Sequence, residues 1–272
     1  MDAEAAASEG FDELDPDEIG GSTAGLSRAV LTDDQRDVGV PMLLHTADTL
    51  PGPEHGERFS TAAYLHQASL GRRWLEDGDP GEETTAQLLS LNFHAVPPEF
   101  RRTAEERIRR VLDLGEAYDP ETGTDGPRVM VAIYDGDRST GLWAAELCRR
   151  LGVRAYYFPL RHTLLEAGPR LTDDELATVA ADHELCFHTA THRAAAEVTE
   201  DDLEAEVVEP LHRLTRVAGR LPRLGAWRGG ARFDPGTLGD RTLRNFGVTH
   251  LVSNWSVEPI PPAAGLDPDT VS

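Results

Sequence analysis

Along the chain, short unbroken apolar runs alternate with longer stretches in which apolar residues return every third or fourth position. The runs predict buried strands and the longer stretches amphipathic helices. The first run, Val38 to His45, predicts a buried strand whose end presents His45, with Pro41 suited to a strand start or edge. Ser60 or Thr61 then opens a helix to about Glu76, with Tyr64, Leu65, Leu70, Trp74 and Leu75 on its apolar face. Gln87 to Phe93 is apolar, and its pattern leaves helix and strand both open. Arg101 to Leu114 has helical charge spacing, with Glu105 and Glu106 placed to meet Arg109 and Arg110. From residue 128 the rhythm is regular. Arg128 to Tyr134 predicts a strand, Ser139 or Thr140 a helix start closed by Gly152, and Val153 to Pro159 the next strand. Thr172 and Glu175 form a capping box for a helix to about Ala181. A strand from Glu184 to Phe187 follows, then a helix from Thr199 to about Ala218 that Pro210 should kink or break. Leu224 to Trp227 and Thr249 to Ser253 predict two more strands around a helix near Thr237 to Asn245. Strands alternating with helices imply an α/β fold with a parallel sheet or barrel.

Composition adds two boundaries. The first 36 residues are acidic and lack sustained periodicity, which predicts a disordered arm, and the Pro/Asp-rich stretch over 259–272 predicts a loose tail. The domain proper is expected over 37–258. Formal net charge is -22, and all 26 basic residues are arginine. So negative a field argues against nucleic acid and anionic membrane surfaces as partners. Cys148 and Cys186 lie in apolar segments and read as buried reduced thiols. The acidic N-terminus resembles no signal or transit peptide and no window reaches membrane-span length, so the expected location is the cytoplasm.

The chemistry gathers at strand ends, where parallel α/β architectures bind their ligands. His188 and His192 lie four positions apart at the exit of a strand, and a neutral imidazole is the commonest metal ligand. Two unrelated surface histidines are the alternative. Asp135, at the end of the strand from Arg128, could add an oxygen ligand. Three such ligands and an open position make the donor set of a catalytic zinc site. His45, on another strand end, could protonate a leaving amine or could be satisfied by backbone groups.

From Arg128 to about Trp255 the chain resembles the polysaccharide deacetylase (NodB-homology) family, carbohydrate esterase family four. Ala132-Ile133-Tyr134-Asp135-Gly136 resembles its first motif, a strand followed by Thr-Phe-Asp-Asp-Gly. Asp182-His183-Glu184 followed by His188 to His192 resembles the second. Val40-Pro41-Met42-Leu43-Leu44-His45 and Phe59-Ser60 extend the likeness to the circularly permuted poly-N-acetylglucosamine deacetylases. The resemblance implies a distorted or incomplete (β/α)7-type barrel in the permuted arrangement. It implies one divalent ion on Asp135, His188 and His192, and His45 as the catalytic acid. Zinc suits that ligand set; cobalt, nickel or iron also fits.

Two departures matter. Tyr134 stands where the family has its base Asp, and a phenol is a poor base at neutral pH. Asp137, two residues past the ligand, is the nearest replacement, with Glu184 a further one. Trp227-Arg228-Gly229-Gly230 keeps only part of the family's Arg-x-Pro-Tyr motif. Arg228 is a candidate for binding a substrate carboxylate or phosphate, or else a structural ion pair, and Trp255, with Tyr134, a candidate lining of the substrate pocket. The expected function is metal-dependent removal of an acyl group from nitrogen of a small intracellular substrate, such as an N-acetyl amino sugar. The alternative is a relative that keeps the metal site and has lost catalysis.

Overall fold

The computed structural model describes residues 38–46, 61–78, 87–121, 127–161 and 169–262. The acidic arm expected over 1–36, the Phe59-Ser60 pair and the tail beyond residue 262 lie outside them.

The strands are β1 (Val40–His45), β2 (Gln87–Phe93), β3 (Glu116–Ala117), β4 (Arg128–Asp135), β5 (Tyr156–Pro159), β6 (Glu184–Leu185), β7 (Leu224–Ala226), β8 (His250–Val252) and β9 (Val257–Pro259). The helices are α1 (Thr61–Asp77), α2 (Arg101–Leu112), α3 (Arg138–Leu151), α4 (Asp173–Ala180), α5 (Glu209–Ala218) and α6 (Leu238–Phe246). One sheet runs β1-β2-β4-β5-β6, with β3 beside β4; a second runs β7-β8-β9. β2, β4, β5 and β6 are mutually parallel, whereas β1 runs antiparallel to β2 and β9 antiparallel to β8.

Two narrow seams join the sheets into a distorted barrel. On one side Phe187 donates to Leu224 and accepts from Ala226, both at 2.9 Å. On the other, His45 N donates to Trp255 O at 2.8 Å. The expected α/β barrel is therefore present as a large arc and a small arc.

Strand parity sets the core. Val40, Met42, Leu44, Leu88, Met130, Ala132, Tyr156 and Phe158 share one apolar cluster inside the barrel with Leu224, Ala226 and Val252. The alternate residues Leu43, Leu89, Leu91, Val129, Val131 and Ile133 join Ile108, Leu147 and Leu176 of the surrounding helices. With both faces buried, these strands read as continuous apolar runs rather than alternating ones. Each fully buried aliphatic side chain contributes about 1.5–3 kcal/mol relative to exposure.

The local signals act as their chemistry dictates. Thr172 and Glu175 complete the capping box of α4, and Gly152 closes α3 in the left-handed region that glycine alone adopts freely. The apolar segment of open type is β2. Pro210 has no N–H to give, and the chain ahead of it takes a π-turn over Glu204–Val208 before α5 begins. The boundary drawn between 258 and 259 falls inside β9, because Pro259 pairs with His250 and Ile260 N donates to Thr249 O.

Candidate metal centre

Asp135, His188 and His192 converge at the carboxyl ends of the parallel strands. One ligand atom from each lies within 4.8 Å of the others, and all three residues are buried. Asp135 closes β4, and its Oδ1 is 3.5 Å from His188 Nε2 and 3.9 Å from His192 Nε2. His188 follows the Phe187 seam. Its Nδ1 bonds the Ala226 carbonyl at 2.8 Å, so Nδ1 carries the proton and Nε2 presents a lone pair to the centre. The Asp135 carbonyl is held by the Arg170 guanidinium. Asp135 and His192 both adopt positive φ, 63° and 67°, conformations that persist only where the surroundings impose them.

The atoms of this cluster fit a divalent cation. Asp135 Oδ1 and His192 Nε2 are buried and have no hydrogen-bond partner, which is costly for polar atoms unless something charged or polar sits between them. Burial, and then the neighbouring His188, press the His192 pKa down to about 3, so its ring is in the neutral, ligating form. Burial opposes ionisation of Asp135, but contact with His188 and the imidazoles of His94 and His192 outweigh it and hold the carboxyl below the ordinary range. Two imidazole nitrogens and one carboxylate oxygen are the donor set of a zinc-type site.

A small cavity of about 30 Å³ opens beside the triad, with Asn92, His94, Tyr134, His188, Trp227 and Asn254 among its lining. Tyr134 stacks on Phe158 at 4.6 Å and on His94 at 5.5 Å, and meets the edge of His188. Burial pushes its hydroxyl far above the ordinary phenol range, so it stays a neutral donor. Gly230 closes another wall at φ 64°, where a Cβ would fall 2.5 Å from Asn254 Cγ. Among the described residues, none that lines the cavity is a carboxylate.

Other candidates read from the sequence lie elsewhere or are engaged. His45 pairs with Gln87 at the start of β2, whereas His94 and Asp135 lie at the opposite end of β2 and β4. The extended chain from Gln87 to His94 spans roughly 23 Å, too far for an imidazole on β1 to cross. His45 also has the outward parity of Leu43, and its ring packs on Trp255 at 4.5 Å. The assignment of His45 as catalytic acid is therefore corrected. Asp137 caps α3, accepting from Thr140 N at 2.7 Å, so its carboxylate serves the helix rather than a water. Arg228 is ion-paired with Glu197, and Trp255 sits in the β8–β9 turn against His45 rather than in the cavity lining. Glu184 is buried at the start of β6 and bonded by Arg220 and Arg223.

The histidine that the structure brings to the triad is His94, which sequence reasoning passed over. It follows β2 with the inward parity of Leu88 and Asn92, faces Tyr134, and feels the charges of Asp135 and His188. Burial lowers its pKa, and Asp135 only partly restores it. The available signal was an apolar run ending in His94 immediately before Ala95-Val96-Pro97-Pro98, the mark of a strand end.

No family model matches the chain and no curated protein matches its sequence. Among solved structures, IcaB from Ammonifex degensii matches with a TM-score of 0.52 at 15% identity, over 69% of this chain and 94% of that one. The Streptococcus pyogenes deacetylase PplD in complex with acetate matches with a TM-score of 0.48 at 14% identity, over 67% and 94%. At such identity the first likeness speaks for architecture: the chain has the α/β barrel fold of the IcaB-type polysaccharide deacetylases.

Proposed function

We propose that the protein is a metal-dependent hydrolase that removes an acetyl-sized acyl group from the nitrogen of an amino sugar. The observation that carries this reading is the convergence of Asp135 Oδ1 and His192 Nε2, both buried and without partners, on the lone pair of His188. A divalent cation held there, zinc foremost, supplies Lewis acidity to an amide carbonyl and lowers the pKa of a water. The chain's own groups do the rest. The cavity has room for about two water-sized groups, which suits an acetyl methyl. Tyr134, stacked on Phe158 behind it, and Trp227 wall that space.

With no carboxylate among the lining residues, His94 takes both proton steps. Its neutral ring accepts the proton of the attacking water at a ring nitrogen and returns it to the departing amine nitrogen. The amino-sugar assignment rests on the resemblance of the Asp135 and His188–His192 motifs to the polysaccharide deacetylases and on the barrel fold shared with IcaB.

The deciding experiment compares wild type with Asp135→Asn, a substitution that tolerates positive φ and removes the charge. Each protein is loaded with zinc, cobalt, nickel or iron and assayed on free N-acetylglucosamine, its short oligomers, an acetylated glycan and a butyryl analogue. Release of acetate by wild type, and none by Asp135→Asn, is the expected result. One-to-one cation binding with no turnover on the whole panel would instead make this a binding subunit on a deacetylase barrel, the reading favoured by Tyr134 standing where the resemblance implies a base Asp.

A further inference from the structure

The loop carrying the two imidazoles is held in an unfavourable shape. Thr189 and His192 sit at φ 63° and 67°, where a residue with a side chain persists only if its surroundings impose the conformation. Within the loop, Thr189 Oγ1 accepts from the amides of His192 at 2.9 Å and Arg193 at 3.1 Å. From outside, Glu206 reaches in. Its Oε2 accepts from Thr191 N at 3.0 Å and its Oε1 from Thr191 Oγ1 at 2.6 Å. Arg193 Nε lies 3.8 Å from the same Oε1. Glu206 is only 5% exposed, and both of its oxygens are engaged by this one loop.

Glu206 stands on the π-turn Glu204–Val208. Such turns concentrate at functional sites because the wider turn re-aims a side chain without moving the rest of the helix. Here Val207 and Leu211 stay in the apolar cluster around Trp227 while Glu206 faces the loop.

We propose that Glu206 is a positioning residue for the cation site. By fixing Thr191 it holds His192 Nε2 toward Asp135 Oδ1, and so sets how tightly and in what geometry the triad grips a divalent ion. This rests on the metal reading above.

The test measures Zn(II) and Co(II) affinity of the full chain by competition with a chromophoric chelator, together with the visible absorption of the Co(II) form and the melting temperature of the chelated protein. Wild type is compared with Glu206→Ala, Glu206→Gln and, as a buried carboxylate away from the triad, Glu258→Gln. Glu258 accepts from Arg232 and Phe233 N. Glu206→Ala should weaken binding about 10–100-fold and shift the Co(II) band. Glu206→Gln, which keeps one acceptor, should fall between, and it decides the matter if the alanine variant fails to fold. Glu258→Gln should lower the melting temperature and leave affinity and spectrum alone. Wild-type affinity and spectrum in folded Glu206 variants overturn the proposal, as does an equal loss of affinity in Glu258→Gln. Failure of the wild type to bind either ion stoichiometrically overturns the metal reading, and this proposal with it.

Discussion

Two histidine–carboxylate clusters flank the same few residues, and they differ in one respect. At the start of β6, His183 is saturated: Nδ1 accepts from Ala155 N at 3.3 Å and Nε2 bonds the Ala145 carbonyl at 2.9 Å. Its neighbour Glu184 takes Arg220 at 3.0 Å and Arg223 at 3.3 Å. Past the end of that strand, His188, His192 and Asp135 are also buried, yet Asp135 Oδ1 and His192 Nε2 have no hydrogen-bond partner. A buried polar group with all its partners holds a fold together; one whose lone pairs are left over is arranged for something else. Residue type alone does not separate the two clusters, since each pairs imidazole with carboxylate.

The sharpest way to press this contrast is at His94. Replacing it by alanine should cut turnover about 10²–10⁴-fold and leave cation stoichiometry unchanged, while His45→Ala leaves turnover near wild type. The reverse ranking would restore the proton role to β1. Next in size is Tyr134→Asp, which places a carboxylate in the cavity beside His94. Steady-state assays should show a gain of at least about tenfold, accompanied by a lower melting temperature because the ring that packs Phe158 is gone.

Smaller effects separate the clusters by stability. Glu184→Ala should lose about 1–3 kcal/mol in denaturant unfolding, the guanidiniums it leaves being partly exposed, with no change in cation affinity. Asp135→Asn should leave the chelated protein as stable as wild type or more so. The smallest effect is in pH. His192 has a folded pKa of about 3 against an ordinary 6.5, so between those values the unfolded chain binds more protons. The stabilising contribution is complete above 6.5 and is lost as pH falls toward 3. His192→Gln should flatten the chelated protein's stability profile in that window; an unaltered slope would remove His192 as its source.

Much of this molecule was legible before any coordinates. The apolar run from Val129 to Ile133 announces a strand buried on both faces, and Thr172, Glu175 and Gly152 mark helix ends by their own chemistry, whereas the run from Leu88 to Leu91 leaves helix and strand open. The cluster was legible because Asp135 ends β4 and His188 and His192 follow β6. His45 misled because it too ends a strand, and no single strand reveals whether it runs with its neighbours or against them. That direction is fixed only by pairing, and β1 runs against β2. Asp137 misled for a related reason: proximity to Asp135 in sequence says nothing of Thr140, whose amide claims the carboxylate. His94 was missed because β2 lacks alternation, so its parity became visible only beside β1 and β4.

The seam at Phe187 has a mechanical consequence. Asp135 belongs to the large arc, His188 leaves the seam itself, and the carbonyl that orients His188 belongs to Ala226 on the small arc. An ion gripped by the triad would act as a rivet across a joint whose backbone is stitched there by the two Phe187 hydrogen bonds. Loading the site should therefore slow hydrogen exchange at the Phe187 and Ala226 amides more than at amides buried deep within the large arc, so that chemistry and closure of the cylinder depend on the same atom.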